Sequence, residues 1–377
     1  MAQKSAIVIG AGIVGLAMAR ALAIRSYQVT VIERNARAAG ASIRNFGMIW
    51  PVGQPDGILY ERALLSRSIW KEICDEAKIW YEQKGSLHLA YFPDEYKVLE
   101  ELHETYRHRK YRLLDKEEVR QKSPAVLQQG LSGGLFSEDE MVVDPVKAIS
   151  GLAQFLEGKY HVKFIWGSAV TGISYPSVHC GKEVLRADEI YVCSGVDFET
   201  LYPELLSAAP LTRCKLQMMR LAAQPGQSRI GPSLCGGLSL LQYSAFKAAG
   251  SLPSLSSRLH NQYEQQIKWG IHVMVSQNEQ GDLTVGDSHE YGSVHDPFDK
   301  KIINDLILDY LYCFADLKKY SLSQSWNGIY AKMTDGSTEY VCTPESGVTV
   351  INGLGGAGMT LSFGLCEQLA SSIPALA

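Results

Sequence analysis

At 377 residues the chain is longer than one compact domain usually needs, and at roughly 150 residues per domain the expectation is two or three. It is 46% hydrophobic and 20% charged, which supplies a large core and excludes a disordered chain. Lys plus Arg number 36 against 40 Asp plus Glu, and the resulting net charge of −4 offers no field to a phosphate backbone, so no nucleic-acid partner is expected.

The eight cysteines show no CxxC and no finger spacing, which fits a reducing cytoplasm and implies neither a disulfide frame nor a zinc site. The longest uncharged apolar run, Ala6 to Ala19, is shorter than the roughly 20 residues of a membrane span. Its three glycines also suit a signal helix poorly, so neither an integral membrane segment nor a targeting segment is expected.

In chain order, Ala6 to Ile9 reads as a buried parallel strand, Ile13 to Ile24 as a helix, and Gln28 to Ile32 as a second strand ending in an acid. Gly57 to Trp80 has helical spacing, Ser86 to Tyr91 alternates as a strand, and Glu95 to Arg109 is a charged helix. Asp144-Pro145 opens a helix over Val146 to Leu156, with proline where its missing N–H costs little. Val162 to Ile165, Ala169 to Ile173 and Glu189 to Gly195 read as strands, and Gln224 to Gly237 as a loop. Trp269 to Gln277 and Asp282 to Asp287 look like strands, Pro297 to Leu317 a long helix, Val348 to Asn352 a strand, and Thr360 to Ser371 a closing helix.

Gly10-Ala11-Gly12-Ile13-Val14-Gly15 matches G-x-G-x-x-G between a strand and a helix, and Glu33 stands 18 residues past the last glycine at a strand end. That context makes it a dinucleotide cradle: Gly10 for the turn, Gly12 for close approach of a pyrophosphate, Gly15 for helix packing, and Glu33 for a ribose diol. The motif does not separate NAD from FAD, but the chain does not continue into a second alternating half. It runs instead through the polar, glycine-rich and aromatic segment Gly40 to Pro51 and ends on Gly353-Leu354-Gly355-Gly356-Ala357-Gly358-Met359-Thr360 before the last helix. Backbone donors at such a helix start suit the negative edge of a reduced flavin, a need that a NAD enzyme does not have.

These motifs, in this order, resemble the FAD-dependent D-amino acid oxidase, glycine oxidase and sarcosine oxidase superfamily over essentially the whole chain. The likeness includes Ser42 to Gly47, Asp144-Pro145, the strand ending at Gly195, Trp326 to Tyr330 with Thr334-Asp335-Gly336, and the Gly355 to Gly358 loop. Ala41 to Pro55 and Gly286 to Gly292 are further similar to a bacterial subgroup associated with phosphonate-catabolism genes.

The resemblance implies an α/β architecture: a Rossmann-like FAD-binding domain with a parallel central sheet, from residues 1–85, 140–210 and 326–377, and an inserted, mostly antiparallel substrate domain from 86–139 and 211–325. It implies that Gly10, Gly12, Ile13, Val14 and Gly15 hold the pyrophosphate and that Glu33 and Arg34 hold the adenosine end. Ser42, Arg44, Asn45, Gly47 and Met48 then lie between phosphate and flavin, Val170 meets adenine, Gly195 closes its strand, and Gly355, Gly356, Gly358, Met359 and Thr360 edge the flavin ring.

Two departures stand out. The family's carboxylate-clamping arginine is replaced by Tyr330, and the cysteine that sarcosine oxidases link to FAD is replaced by Gly328, so FAD is expected to be non-covalent. An anionic substrate head then needs other donors, for which Arg44, Lys215, Tyr243, His272, His289 and Tyr330 are the candidates; Lys215 reads equally as a solvated strand edge and His272 as a core imidazole. His103 and His108 are five apart, with no HExxH or carboxylate–histidine cluster in the sequence, so no metal is expected. The implied reaction is oxidation of the C–N bond of a small primary or secondary amine by hydride transfer to flavin, with O₂ or another electron acceptor as oxidant and no assigned acid or base. A NAD(P)-dependent dehydrogenase and a non-catalytic FAD-binding protein are the alternatives.

Overall fold

Two kinds of hydrophobic pattern in the chain become two kinds of sheet in the computed structural model, which describes residues 3–223, 229–317 and 319–372. The continuous apolar runs form a six-stranded sheet in the order Tyr340–Glu345, Val348–Asn352, Glu189–Val192, Ser5–Ile9, Gln28–Glu33 and Lys163–Trp166. All its pairings are parallel except that of the edge hairpin Tyr340–Glu345 with Val348–Asn352. The helices Ile13–Ala23, Ile58–Ala77, Pro145–Tyr160 and Gly358–Ser371 bury their apolar sides in one core with strands of this sheet, as parallel strands require. Asp144 caps the third of these helices by accepting from the N–H groups of Val146 and Lys147 at 3.1 and 3.2 Å.

The alternating segments form a nine-stranded sheet in the order Glu290–Gly292, Leu211–Ala222, Leu283–Gly286, Met274–Gln277, Ser233–Cys235, Ser86–Ala90, Gly133–Ser137 and Tyr111–Asp115. Ser321–Met333 joins it along the free edge of Leu211–Ala222. Every pairing is antiparallel except Ser233–Cys235 with Ser86–Ala90. Trp326 to Met333 pair along this strand with Met218 to Leu211.

Three expectations are corrected, each for a local reason. Pro297 to Leu317 is helical only over Lys301–Leu311, because the Lys215 ammonium and the Gln217 side chain take up the carbonyls of Asp296, Phe298 and Lys300 ahead of it. Trp269 to Gln277 is a regular strand only over Met274–Gln277, although His272 and Asp287 still exchange backbone hydrogen bonds at 2.9 and 3.2 Å. The expected loop Gln224 to Gly237 contains the strand Ser233–Cys235, too short for periodicity to reveal; residues 224–228 lie outside the described residues. Among the described residues no helix is long and apolar enough to cross a membrane.

Candidate active site

The strands Ser5–Ile9, Gln28–Glu33, Glu189–Val192 and Val348–Asn352 end in register along one edge, where the chain winds to both sides of the first strand. Such a switch point is where an open parallel sheet has room for a ligand. A cavity of about 1380 Å³ opens there and runs on to the antiparallel sheet.

Gly10 takes φ +103° at the turn, and a Cβ on Gly15 would lie 1.9 Å from the Gly10 carbonyl oxygen, so the first helix can sit against the turn only because neither has a side chain. That helix starts at Gly12 without a side-chain cap or an acid in its first turn, which leaves a positive end toward the cavity. Gly12, Ile13 and Val14 line the cavity, and the Ser42 hydroxyl accepts from the Ile13 N–H at 2.9 Å. Glu33 Oε2 accepts from the Ala11 N–H at 2.9 Å and Oε1 from Asn35, which fixes the carboxylate at the cavity wall beside Arg34. Val170 and Gly195 border the same end.

The last helix, Gly358–Ser371, also starts uncapped at the cavity and packs on the first: Gly358 lies against Ile13, and the Cys366 thiol meets the Val14 carbonyl. The turn at Gly355, Gly356 and Gly358, with Met359 and Thr360, therefore borders the same space as Gly10 and Gly12. Thr360 Oγ1 accepts from the Trp50 N–H at 2.9 Å, and the Trp70 indole donates to the Met359 carbonyl at 2.9 Å, so this helix start is tied to the segment that carries Arg44, Asn45 and Met48. Asn45 donates to the carbonyls of Ala41 and Ser42. Arg44 is exposed at the rim and donates to the Asn327 carbonyl at 3.2 Å.

The far wall belongs to the antiparallel sheet. His272, Asp287 and His289 are buried together: His272 Nε2 is 3.1 Å from Asp287 Oδ1, His289 Nε2 is 4.0 Å from Asp287 Oδ2, and the two imidazoles stack with centroids 5.2 Å apart. One oxygen of Asp287 and a nitrogen of each ring all lie within 4.8 Å of one another, a carboxylate–histidine cluster that spacing along the sequence hides. Burial pushes the Asp287 carboxyl well above its ordinary range, the His272 imidazole well below, and His289 down to about 4. Tyr243 packs edge-on against His272, and Tyr330 against His289 with its hydroxyl beside Gly356; burial raises both phenols.

Three expected site residues stand elsewhere. Lys215 is neither a solvated edge nor a cavity residue: on Leu211–Ala222 the alternate residues Leu216 and Met218 face the cavity, while Lys215 points away, buried, and donates to the carbonyls of Asp296 and Phe298 at 2.7 and 2.8 Å. Gly15 is behind the cradle, in the helix–turn contact. Gly47 is behind its loop, where its N–H donates to Asn45 Oδ1 and its carbonyl accepts from Val143. Conversely, Asp287 and Lys332, which are not among the expected site residues, line the cavity. Lys332 had a readable signal, since it follows Tyr330 by two residues on one strand and so shares its face.

The cavity fits FAD. Two helix starts whose N-cap residues supply no side-chain cap approach it together, the glycines leave its floor open, and its length joins a phosphate-type cradle to an aromatic and histidine-lined wall. Over nearly its whole length the fold is that of solved flavoenzymes. It superposes on L-proline dehydrogenase from P. horikoshii with a TM-score of 0.79 at 20% identity, covering 98% of this chain and 93% of that one. Glycine oxidase from Geobacillus kaustophilus gives 0.79 at 18% identity, covering 99% and 95%. Iminodiacetate oxidase from Chelativorans sp. BNC1 gives 0.74 at 18%, covering 99% and 96%. A 60-residue stretch is 43% identical to the tRNA 5-methylaminomethyl-2-thiouridine biosynthesis bifunctional protein MnmC of Chromobacterium violaceum; it spans 16% of this chain and only 8% of that protein. The DAO family model, described as FAD dependent oxidoreductase, matches residues 5–372, and the chain belongs to that family of FAD enzymes.

Proposed function

We propose that the enzyme oxidises the C–N bond of a small primary or secondary amine that also carries an anionic group, of the amino acid or aminophosphonate type. The observation that carries this reading is the pairing of charges at the far end of the cavity. The Asp287 carboxyl sits among neutral rings, and Lys332, which forms no ion pair among the described residues and donates to the Tyr291 hydroxyl at 2.9 Å, lies on the strand face next to Tyr330 and the Gly355 turn. A zwitterion with its ammonium toward Asp287 and its acid toward Lys332 satisfies both. The names of the neighbouring glycine and iminodiacetate oxidases point to the same substrate class.

Bound FAD supplies a two-electron hydride acceptor, which leaves an imine for water to hydrolyse. In this reading Gly10, Gly12, Ile13 and Val14 would hold the pyrophosphate, and Glu33 and Arg34 the adenosine end. Ser42, Asn45 and Met48 would line the path between, and the helix start at Gly358 would offer backbone donors to the flavin's anionic edge. Tyr243 and Tyr330 close the far end against water, which strengthens every charge interaction within it. Cys193 is the cavity's cysteine among the described residues, and burial pushes its thiol up to about 12. A thiol that holds its proton is no nucleophile toward the ring, which supports non-covalent FAD.

The test is anaerobic mixing of the yellow protein with a panel of primary and secondary amines bearing carboxylate or phosphonate groups. Bleaching of the visible absorbance by anionic amines, with uncharged amines much slower, is the expected result. Bleaching by none of them, or equally by alcohols, overturns the reading.

A further inference from the structure

We propose that Asp287, set between His272 and His289, takes a proton from the substrate's ammonium group before the C–N bond is oxidised. The proposal rests on the amine reading above and adds a base to a site that so far has none.

The argument starts from a tautomer. His289 Nδ1 lies 2.9 Å from the Gly270 carbonyl oxygen, an acceptor only, so Nδ1 carries the hydrogen and the Nε2 of the neutral ring is a lone pair. That lone pair faces Asp287 Oδ2 at 4.0 Å. Among the described residues Asp287 Oδ1, although 3.1 Å from His272 Nε2, receives no aligned hydrogen bond, and His272 Nδ1 is also buried without a partner. With Asp287 ionised, two acceptors therefore confront each other across a gap at the cavity wall, an arrangement that is costly in a low-dielectric interior until an N–H enters. An ammonium supplies it.

Burial decides what happens next. A carboxylate and an ammonium sealed from water are disfavoured relative to the neutral acid and the neutral amine. One N–H bond of the substrate breaks and an O–H bond forms on Asp287; nitrogen keeps the electron pair that must be free for the C–N bond to gain double-bond character, and no electrons leave the pair of groups. The direction of the Asp287 shift is that of a group ready to accept this proton, and His289 Nε2 is placed to accept a hydrogen bond from the new O–H. The titratable groups facing Asp287 are His272, His289, Tyr243, Tyr330 and Cys214, with Lys332 beyond the histidines. Tyr243, Tyr330 and Cys214 are raised by burial and keep their protons, and both imidazoles are neutral, so none competes as the anionic acceptor at neutral pH.

The experiment follows flavin reduction by the fastest amine of the panel against pH, in wild type, Asp287→Asn and Asp287→Glu. Asp287→Asn should slow reduction about 100-fold or more near neutral pH. The loss should shrink as pH rises toward the amine's own pKa, because solution then provides the free base; Asp287→Glu should keep most of the neutral-pH rate. Independently of turnover, the infrared difference spectrum of anaerobic wild type with that amine should gain a protonated-carboxyl C=O stretch that moves in Asp287→Glu and is missing in Asp287→Asn. If Asp287→Asn fails to hold FAD, the other two proteins and the spectrum still decide. A uniform loss at every pH, the absence of the carboxyl band, or a stoichiometric metal ion in the purified protein whose removal stops the reaction overturns the proposal and leaves the amine reading intact. Wild type that no amine reduces overturns both.

Discussion

At the Gly10 end of the cavity the chain presents backbone donors, and at the Asp287 end it presents side chains, among them buried acceptors. Around Gly10, Gly12 and Gly358 the exposed groups are backbone N–H at two helix starts, which carry partial positive charge and need no side chain to be aimed. Around Asp287 the groups are side chains from Met274–Gln277, Leu283–Gly286 and Ser321–Met333 and their flanks, of which Asp287 Oδ1 and His272 Nδ1 are buried without a hydrogen-bond partner among the described residues. The first end suits a dinucleotide common to many enzymes; the second suits one small cation-bearing substrate. The contrast teaches that cofactor binding here is a property of backbone shape, whereas substrate choice is a property of a few unsatisfied side chains.

The largest expected effect breaks the first end. In Gly15→Ala the added methyl falls 1.9 Å from the Gly10 carbonyl oxygen, so either the helix or the turn has to move. Loss of about 3 kcal/mol of stability, with purified protein nearly free of FAD, is expected, measured by thermal unfolding and FAD titration. A yellow protein with unchanged melting temperature would show that the helix–turn contact does not set the cradle.

The same contrast explains what was readable from the chain alone. Gly10 to Gly15 and Glu33 are legible because strand, turn, helix and acid follow one another, so local spacing is spatial spacing. The far wall is assembled from residues as distant as Tyr243 and Tyr330, and the importance of Asp287 depends on which nitrogen of His289 holds its hydrogen, a fact set by the Gly270 carbonyl. Lys215 misled for a related reason: alternation along Leu211–Ala222 separates two faces but does not say which one meets the cavity. The shortened helix at Lys301 was equally hidden, since what delays it is a lysine some eighty residues earlier.

A buried carboxylate whose bonds are satisfied sharpens the picture of Asp287. Glu140 accepts from the Val52 N–H at 2.9 Å and the Ser86 hydroxyl at 3.0 Å, yet burial still raises it to about 7. Between its ordinary range and about 7 the folded chain holds a proton that the unfolded chain has lost, so stability falls as pH rises through that window and levels off above it. Glu140→Gln keeps an acceptor for Val52 and removes the charge. The unfolding free energy should then lose this pH dependence, amounting to about 3 kcal/mol at most, in denaturant titrations across the window. An unchanged slope would mean that its partners already offset burial.

Lys332 tests the substrate end from the opposite sign. Lys332→Met keeps the packing of its stem and removes the ammonium, so the KM for an anionic amine should rise about tenfold with kcat little changed, while an uncharged amine is unaffected. Equal losses for both substrates would assign Lys332 to holding the Gly355 turn, with whose Leu354 it shares a backbone bridge.

The smallest effect belongs to Arg34. Its guanidinium is half exposed at the adenosine end and pairs with Asp197, so solvent screens whatever charge it offers the cofactor. Arg34→Ala should weaken FAD binding only about two- to fivefold and leave substrate kinetics alone, because the cradle acts through backbone groups that the substitution does not touch. A loss as large as that of Gly15→Ala would mean that the adenosine end is held by side-chain charge after all, and the division between a backbone end and a side-chain end would no longer describe the cavity.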